Sequence, residues 1–500
     1  MRRTWPVCRR PRTHIDLVVS RVELGARPMI DVLVVGAGSA GCVLADRLSA
    51  QGLSVCVVEA GPDLRSDTTP ASIRGDSFYD ALAEPGRTHA ELLARRSGGQ
   101  TPRAYARGRG VGGSSAVNAM LALWGEMGDY DAWERDHGCV GWGWSNVEQY
   151  FRRLEVPLHR AAPEGPESVS GALVDACVMN GWSLHRGPYP LSGVPADAGP
   201  AMLTRDASGR RVTVADVHLE RARRRDKVEV RTHAVVDRVM IEHGRAVGVL
   251  LVDGTEIGAR EVVLAAGAIH SPTILLRSGI ERPGIGAGLQ DHPSASITVA
   301  LKDPRDPHSL AVSAVARFSS GRHAADLQLL PINHLGPDAV GYGAINVALM
   351  KVSSRGTVRL DPRDPLAEPI VDFDLLSTDE DLESLTVGIG VLLDLLDSPP
   401  VSAMAGQFYV DDRGTPLADV TASSDAVREW LRVSTGDYVH AAGTCAMGDP
   451  RAPGTVVDPS ARVVGVAGLR VCDASIFPRL PRANTHLPVM MAAELVADRW

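Results

Sequence analysis

The chain reads as an α/β protein, α+β overall, in which a Rossmann-like nucleotide-binding domain is interleaved with a second domain built on an antiparallel sheet with helices. Three observations predict this. Asp31-Val32-Leu33-Val34-Val35 runs into Gly36-Ala37-Gly38-Ser39-Ala40-Gly41, and Glu59 closes the next apolar run. From Lys227 onward short apolar or alternating runs punctuated by turn residues lead to another glycine, Gly267. From Ser294 to Gly436 the chain changes character, with short strands giving way to an amphipathic helix.

The first element justifies itself residue by residue. Residues 32–35 are continuously apolar, as in a parallel strand covered on both faces. Residues 39–50 read as a helix stopped by Gly52, and residues 54–59 as the second strand of a βαβ unit. Gly36 permits the tight turn, Gly38 lets backbone approach a pyrophosphate, and Gly41 lets the helix pack close to the strand. The helix start at Ser39 and Ala40 offers unpaired N–H groups and the favourable end of its dipole to phosphate. Glu59 follows Gly41 by 18 residues, near the spacing of about 20 at which a carboxylate accepts from a ribose hydroxyl. The pattern specifies a dinucleotide and leaves NAD and FAD open.

Residues 228–231, 235–242 and 246–252 then read as a β-meander, with turns at His243-Gly244 and Asp253-Gly254. Residues 261–265 form a buried strand running into Ala266 and Gly267, where glycine suits close approach to a cofactor. In the second region, strands are expected at 297–301, 326–330, 344–350 and 357–360. A helix is expected to open at Ser377, whose capping-box partner is Glu380 and whose apolar face carries Leu382, Leu385, Ile389 and Leu392.

Composition bounds the function. Five hundred residues exceed one ordinary domain, and a hydrophobic fraction of 44% with 22% charged residues describes a water-soluble globular chain with a large core. A net charge of −8 excludes a typical nucleic-acid binder. The run Arg221-Ala222-Arg223-Arg224-Arg225 is expected to be a solvated helix end. The seven cysteines are scattered without zinc-like spacing, as in a reduced intracellular protein, and no metal site is expected. Residues 1–28 are basic and lack an apolar h-region, so they read as a disordered extension or a misassigned start ahead of Met29. No stretch has the ~18 consecutive apolar residues of a transmembrane helix. A cytoplasmic location is expected, with a peripheral position at the inner face of a membrane as the alternative.

At the far end, His440-Ala441-Ala442-Gly443-Thr444-Cys445 is followed, 46 residues after His440, by His486 within Asn484-Thr485-His486-Leu487-Pro488. Imidazole, with a pKa of about 6.5, is largely neutral at working pH and suits a base. A dinucleotide at one end and paired histidines at the other suggest redox chemistry on an alcohol.

Several longer segments resemble the glucose–methanol–choline (GMC) flavoprotein oxidoreductases in collinear order. Arg107-Gly108-Arg109-Gly110-Val111-Gly112-Gly113-Ser114-Ser115 is similar to the first family signature, and Gly267-Ala268-Ile269-His270-Ser271-Pro272 to the second. Gly288-Leu289-Gln290-Asp291-His292-Pro293 and Gly468-Leu469-Arg470-Val471-Cys472-Asp473-Ala474 add to the likeness. The resemblance implies FAD, in a domain formed by residues 29–154, 211–293 and 437–500, under a substrate domain of residues 155–210 and 294–436. It implies that Gly112, Ser114 and Asn118 pass the isoalloxazine, that Val235 and Ala266 line the cofactor, and that Asp473 and Ala474 contact its phosphate and ribityl chain. Some relatives attach FAD through a histidine in the first-signature loop; in this chain Ala116 and Val117 stand before Asn118, so a non-covalent flavin is expected. His440 and His486 are expected at the flavin's reactive edge, with His440 as principal base and His486 orienting the hydroxyl, or the reverse. The other histidines, His292 the least settled among them, are expected to pack or hydrogen-bond. Trp124-Gly125 departs from the family's usual Arg-Gly. The implied reaction is oxidation of a primary or secondary alcohol, with electrons passing to a quinone or other non-oxygen carrier. An oxygen-using oxidase and a flavin-retaining hydroxynitrile-type lyase are the alternatives.

Overall fold

The computed structural model describes residues 29–162, 165–185, 187 and 194–500; the expectation for residues 1–28 lies outside the described residues. Strand β1 (Ile30–Val35), helix α1 (Ser39–Ala50) and strand β2 (Val55–Val58) form the βαβ start, with β1 and β2 parallel and Val32 opposite Val55. Val32, Leu33 and Val34 are buried, which accounts for the unbroken apolar run. Beyond β2 comes β3 (Val228–Arg231), also parallel, with Val55 opposite Val228. The expected meander therefore loses its first strand. Segment 228–231 extends the parallel sheet at β2 and leaves β4 (Val236–Glu242), β5 (Arg245–Leu251) and the start of β6 (Glu256–Leu264) as the antiparallel ribbon. The far half of β6 lies parallel to β1, pairing Val35 with Leu264, and takes the short strand Leu469–Val471 on its other side. Helix α2 (Gly267–Arg277) leaves the end of β6.

The second layer is a seven-stranded sheet. Strands β7 (Ser294–Leu301), β8 (Ala314–Phe318), β9 (Leu327–Ile332), β10 (Tyr342–Leu349) and β11 (Ala405–Tyr409) pair antiparallel in the order β11-β7-β10-β9-β8, and β8 adds Ala196–Pro200 and then Ser183–Leu184. Helix α3 (Asp379–Leu396) backs it, with Leu382, Leu385, Ile389 and Leu392 in one core with Leu327, Ile345 and Val347. Its cap is one residue later than the sequence pattern proposes. Thr378, not Ser377, is the N-cap and accepts from the Asp381 N–H, while Glu380 faces Ser353 and His323.

A five-stranded sheet binds the two layers together. It combines Leu93–Arg95 and Arg103–Ala104 with Ala287–Leu289, Gly356–Arg359 and Ile370–Asp372. Helix α4 (His486–Asp498) returns the chain end to its start, where Glu494 forms an ion pair with Arg47 of α1 at 2.8 Å. The arginine run ends a helix with Arg224 exposed, but its other arginines are engaged in ion pairs. Arg221 and Arg225 converge on Asp46, which is fully buried, and Arg223 pairs with Asp63. The six described cysteines are buried and unpaired. No described helix is long and apolar enough to cross a membrane.

Candidate active site

A cavity of about 700 Å³ opens where the glycine turn, the first-signature loop, the start of α2 and the start of α4 meet. Gly36, Gly38, Ser39, Ala40, Glu59, Ser114, Asn118, Val235, Ala266, Asp473 and Ala474 all line it. Gly41 and Gly112 do not. A Cβ on Gly41 would lie 1.9 Å from the Gly36 carbonyl oxygen, so this glycine serves helix–strand contact. Gly112, at φ +94°, turns its loop and donates its N–H to the Ala37 carbonyl at 2.8 Å. A Cβ on Gly38 would meet only Gly113 Cα, at 3.9 Å, so its backbone stays open toward the cavity.

Glu59 does more than the sequence pattern asks of it. Its carboxylate accepts from the N–H groups of Ala37 (2.8 Å), Gly61 (3.0 Å) and Gly110 (2.9 Å), tying both glycine loops to the end of β2. Three of about four acceptor positions are thereby used, leaving room for one hydroxyl donor. Asp473 is bound similarly by the Gly267 N–H, the Ser271 hydroxyl and the Ser475 N–H, and burial raises its pKa. Both ends of this cradle are held by buried carboxylates and fit a dinucleotide.

His440 lies at the opposite wall, following Val439, whose left-handed φ of +54° is rare for a β-branched residue and sharpens the turn that presents the ring. Asp291, fully buried, fixes that turn by accepting from the N–H groups of His292 (2.7 Å), Tyr438 (3.2 Å) and His440 (3.0 Å) and from the Tyr105 hydroxyl (2.8 Å). Burial, and then the charge of Asp437, pushes the Asp291 pKa up to about 7. The His440 ring packs edge-on against Tyr438 and has two side-chain hydrogen-bonding partners: His292, with the Nδ1 atoms 3.0 Å apart, and Asn484, whose Nδ2 lies 3.3 Å from Nε2.

His440 and His486 line the same cavity but do not touch each other. Asn484 takes the place beside His440, while the His486 ring turns toward α1 and meets the Ser39 hydroxyl at 2.9 Å through Nδ1. His486 still lines the cavity, beside the glycine turn, because it is the first residue of α4. Asn484 Oδ1 and His486 Nε2 are buried with no hydrogen-bond partner, and both residues face the cavity, so a ligand there has polar groups to satisfy. Burial lowers the pKa of every ring in the group: His440 well below the usual value, with His292 and Arg107 adding to the effect; His292 to about 3; and His486 to about 4, where Arg211 and His218 contribute.

Asn484 is visible in the sequence but is overshadowed there by its titratable neighbour two residues on. Asp291-His292 is visible too, without a sign that its imidazole meets His440. Arg211 gives no signal. It is buried and donates to the Asn118 side chain and carbonyl at 2.8 and 2.6 Å, holding the first-signature loop.

A glycine-and-carboxylate cradle and a group of buried imidazoles share one cavity, an arrangement that suits a dinucleotide-dependent oxidoreductase. Residues 30–294 and 352–493 match the GMC oxidoreductase family, and the chain belongs to it. It is 31% identical to 5-(hydroxymethyl)furfural oxidase of Methylovorus sp. (strain MP688), across 94% of this chain and 98% of that protein. It is 32% identical to oxygen-dependent choline dehydrogenase of Paraburkholderia xenovorans (strain LB400), across 94% of each. The solved structure of pyridoxine 4-oxidase from Mesorbium loti is similar at TM-score 0.84 and 26% identity, covering 94% of this chain and 99% of that one. Formate oxidase of Aspergillus oryzae RIB40 shares the fold at TM-score 0.81 and 20% identity, with 94% and 97% covered. The protein is a flavoprotein oxidoreductase of the alcohol-oxidising type.

Proposed function

We propose that this protein oxidises a primary or secondary alcohol to a carbonyl, with His440 as the base and Asn484 as the group that orients the hydroxyl. The observation that carries the reading is the His440 ring itself, held at Nδ1 by His292 and facing Asn484 across the cavity wall at Nε2. FAD, held non-covalently in the cradle, supplies the hydride acceptor at N5. The stretch Gly113–Ala116 and the two residues after it contain no histidine for a covalent link.

One tautomer of the His292–His440 pair belongs to this reading. The carbonyls of Pro481 and Met350 face the His292 ring and favour a proton on its far side, although Nε2 there lacks a hydrogen bond of ordinary geometry. His292 Nδ1 is then the acceptor, His440 Nδ1–H the donor, and His440 Nε2 keeps its lone pair toward the cavity. That nitrogen takes the hydroxyl proton as the C–H bond breaks, and the Asn484 amide donates to the oxygen. His486, bonded to Ser39, belongs to the dinucleotide side, where its free Nε2 is a donor or acceptor for the cofactor. The roles the sequence assigns to His440 and His486 thus divide three ways.

For the electron acceptor, the names of the relatives favour dioxygen over the quinone or other carrier expected from the sequence. Two of them, the furfural oxidase and the oxygen-dependent choline dehydrogenase, carry oxygen use in their names. Anaerobic mixing with a panel of alcohols, followed by admission of air, tests both points. Bleaching of the flavin by at least one alcohol is expected, with reoxidation by air faster than a slow artificial drift. No bleaching by any alcohol would favour the lyase alternative; bleaching with sluggish reoxidation would return the carrier.

A further inference from the structure

At the rim of the same cavity, away from the His440 cluster, two imidazoles and a carboxylate converge from three distant segments. His89 precedes the first-signature loop, His270 lies in the first turn of α2, and Glu368 stands just before Ile370–Asp372 of the joining sheet. His89 Nδ1 is 2.8 Å from Glu368 Oε1, and His270 Nε2 is 2.8 Å from Glu368 Oε2. The rings stack with centroids 4.2 Å apart, and one ligand atom from each residue lies within 4.8 Å of the other two. All three residues are partly buried and reach the cavity.

The geometry points to a divalent cation site of the zinc type at this rim, made by His89 Nδ1, His270 Nε2 and a Glu368 oxygen, with the remaining position open to water.

Two imidazole nitrogens and one carboxylate form a donor set that binds Zn²⁺ with one coordination position left over. Metal–ligand bonds of about 2 Å in a tetrahedron place ligand atoms roughly 3.3 Å apart, close to the 2.8 Å between each imidazole nitrogen and its Glu368 oxygen, and the stacked rings turn to aim both lone pairs at one ion. From the neutral imidazoles, binding needs only a change of tautomer: the ring proton facing Glu368 moves to the other nitrogen, and no net proton is released. Arg109, whose charge reaches His89, opposes the ion, while Glu91 on the same wall supports it. The buried trio Asp291, His292 and His440 is a poorer candidate, since Asp291 is already taken by three backbone N–H groups and the Tyr105 hydroxyl. Bound at the rim, the ion joins the segment before the first-signature loop, α2 and the joining sheet across the mouth of the cofactor cavity. This last consequence rests on the flavin reading; ion binding itself does not.

Purified holoprotein, stripped with a chelator, is titrated with Zn²⁺ against a competing chelator dye, alongside His89→Ala, His270→Ala and Glu368→Gln. One ion per chain is expected, weakened by at least about tenfold in each variant, since even supporting residues of metal sites cost 10–100-fold. Copper loaded in place of zinc should show two nitrogen ligands by electron paramagnetic resonance, and fewer in each histidine variant. Absence of binding, or binding unchanged in the three variants, overturns the site and leaves the cluster as a hydrogen-bonded latch. FAD release on dilution should slow with zinc in the parent only. Zinc binding without that slowing overturns the joining role and retains the site.

Discussion

The two walls of the cavity are built on opposite terms. On the cradle wall Glu59 and Asp473 spend most of their accepting capacity on the protein's own N–H and hydroxyl groups, and the loops they tie are fixed before any ligand arrives. On the imidazole wall the backbone is equally fixed through Asp291, but Asn484 Oδ1 is left buried without a partner, as is His486 Nε2 where that wall meets the glycine turn. Buried polar atoms without partners cost about 1–3 kcal/mol each, so they persist where a ligand completes them. One wall is preorganised by being satisfied, the other poised by being incomplete.

The sharpest way to break this comparison is to remove the base. His440→Ala should slow anaerobic flavin reduction by about 10²–10⁴-fold, the range of a positioned general base, while FAD remains bound because the cradle is untouched. Stopped-flow reduction with one active alcohol measures it. Reduction at the parental rate would place the chemistry elsewhere.

Next in size is the division of labour between Asn484 and His486. Losing a hydrogen bond to a charged or charging group costs about 1.5–3 kcal/mol, roughly 10–150-fold. Asn484→Ala should lose this much in the rate of reduction with FAD affinity preserved. His486→Ala should show the reverse, weaker FAD retention with a milder change in rate. If His486→Ala slows reduction more than Asn484→Ala, Asn484 is not the working partner of His440, and the histidine pair expected from the sequence returns.

The cradle is tested by Glu59→Gln, which keeps the shape but removes the charge assisting three N–H donors. A loss of about 1.5–3 kcal/mol is expected, split between FAD affinity and thermal unfolding because Glu59 serves both loop and ligand. Equilibrium dialysis and a melting curve of the flavin-free protein separate the two shares. A full loss in affinity with unchanged melting would mean that the three backbone bonds are incidental.

How much of the fold and site is legible in the sequence follows from how local each signal is. The βαβ start, its glycines and Glu59 lie within 30 residues of one another, and each answers a backbone requirement that sequence spacing expresses. The strand at 228–231 is legible as a strand, but its partner is not, because Val228 pairs with Val55 across more than 170 residues. Segments 196–200 and 314–318 escape a reading of the sequence since alanine, glycine and a buried Arg317–Asp197 pair hide their strand character. The imidazole wall is legible in a different way. The resemblance points to His486, whereas Asn484 is the side chain beside His440, and only the turn before α4 decides which of the two lies there. Nothing in the spacing of Arg221 and Arg225 announces Asp46 as their partner.

The smallest expected effect is an absence. From the sequence, a base in the ordinary histidine range would make reduction climb between about pH 6 and 7. The structure lowers the His440 pKa well below its usual value, chiefly by burial, with His292 and Arg107 adding to it. The active form is the neutral ring, so the sign is definite: activity is lost only as pH falls through the lowered value and stays flat above the ordinary one. Between about pH 6.5 and 8 the rate of reduction should therefore be nearly constant. Stability should follow the same sense, because imidazoles kept neutral in the fold must take protons to unfold in acid, so stability present above about pH 6.5 declines below it. The expected curve sharpens the contrast between the walls if His486→Ala leaves the kinetic plateau in place while easing the acid loss of stability. A rising limb near pH 6.5 that survives in parental enzyme saturated with alcohol would show that His440 is wet and ordinary, and that the imidazole wall is not a desolvated surface.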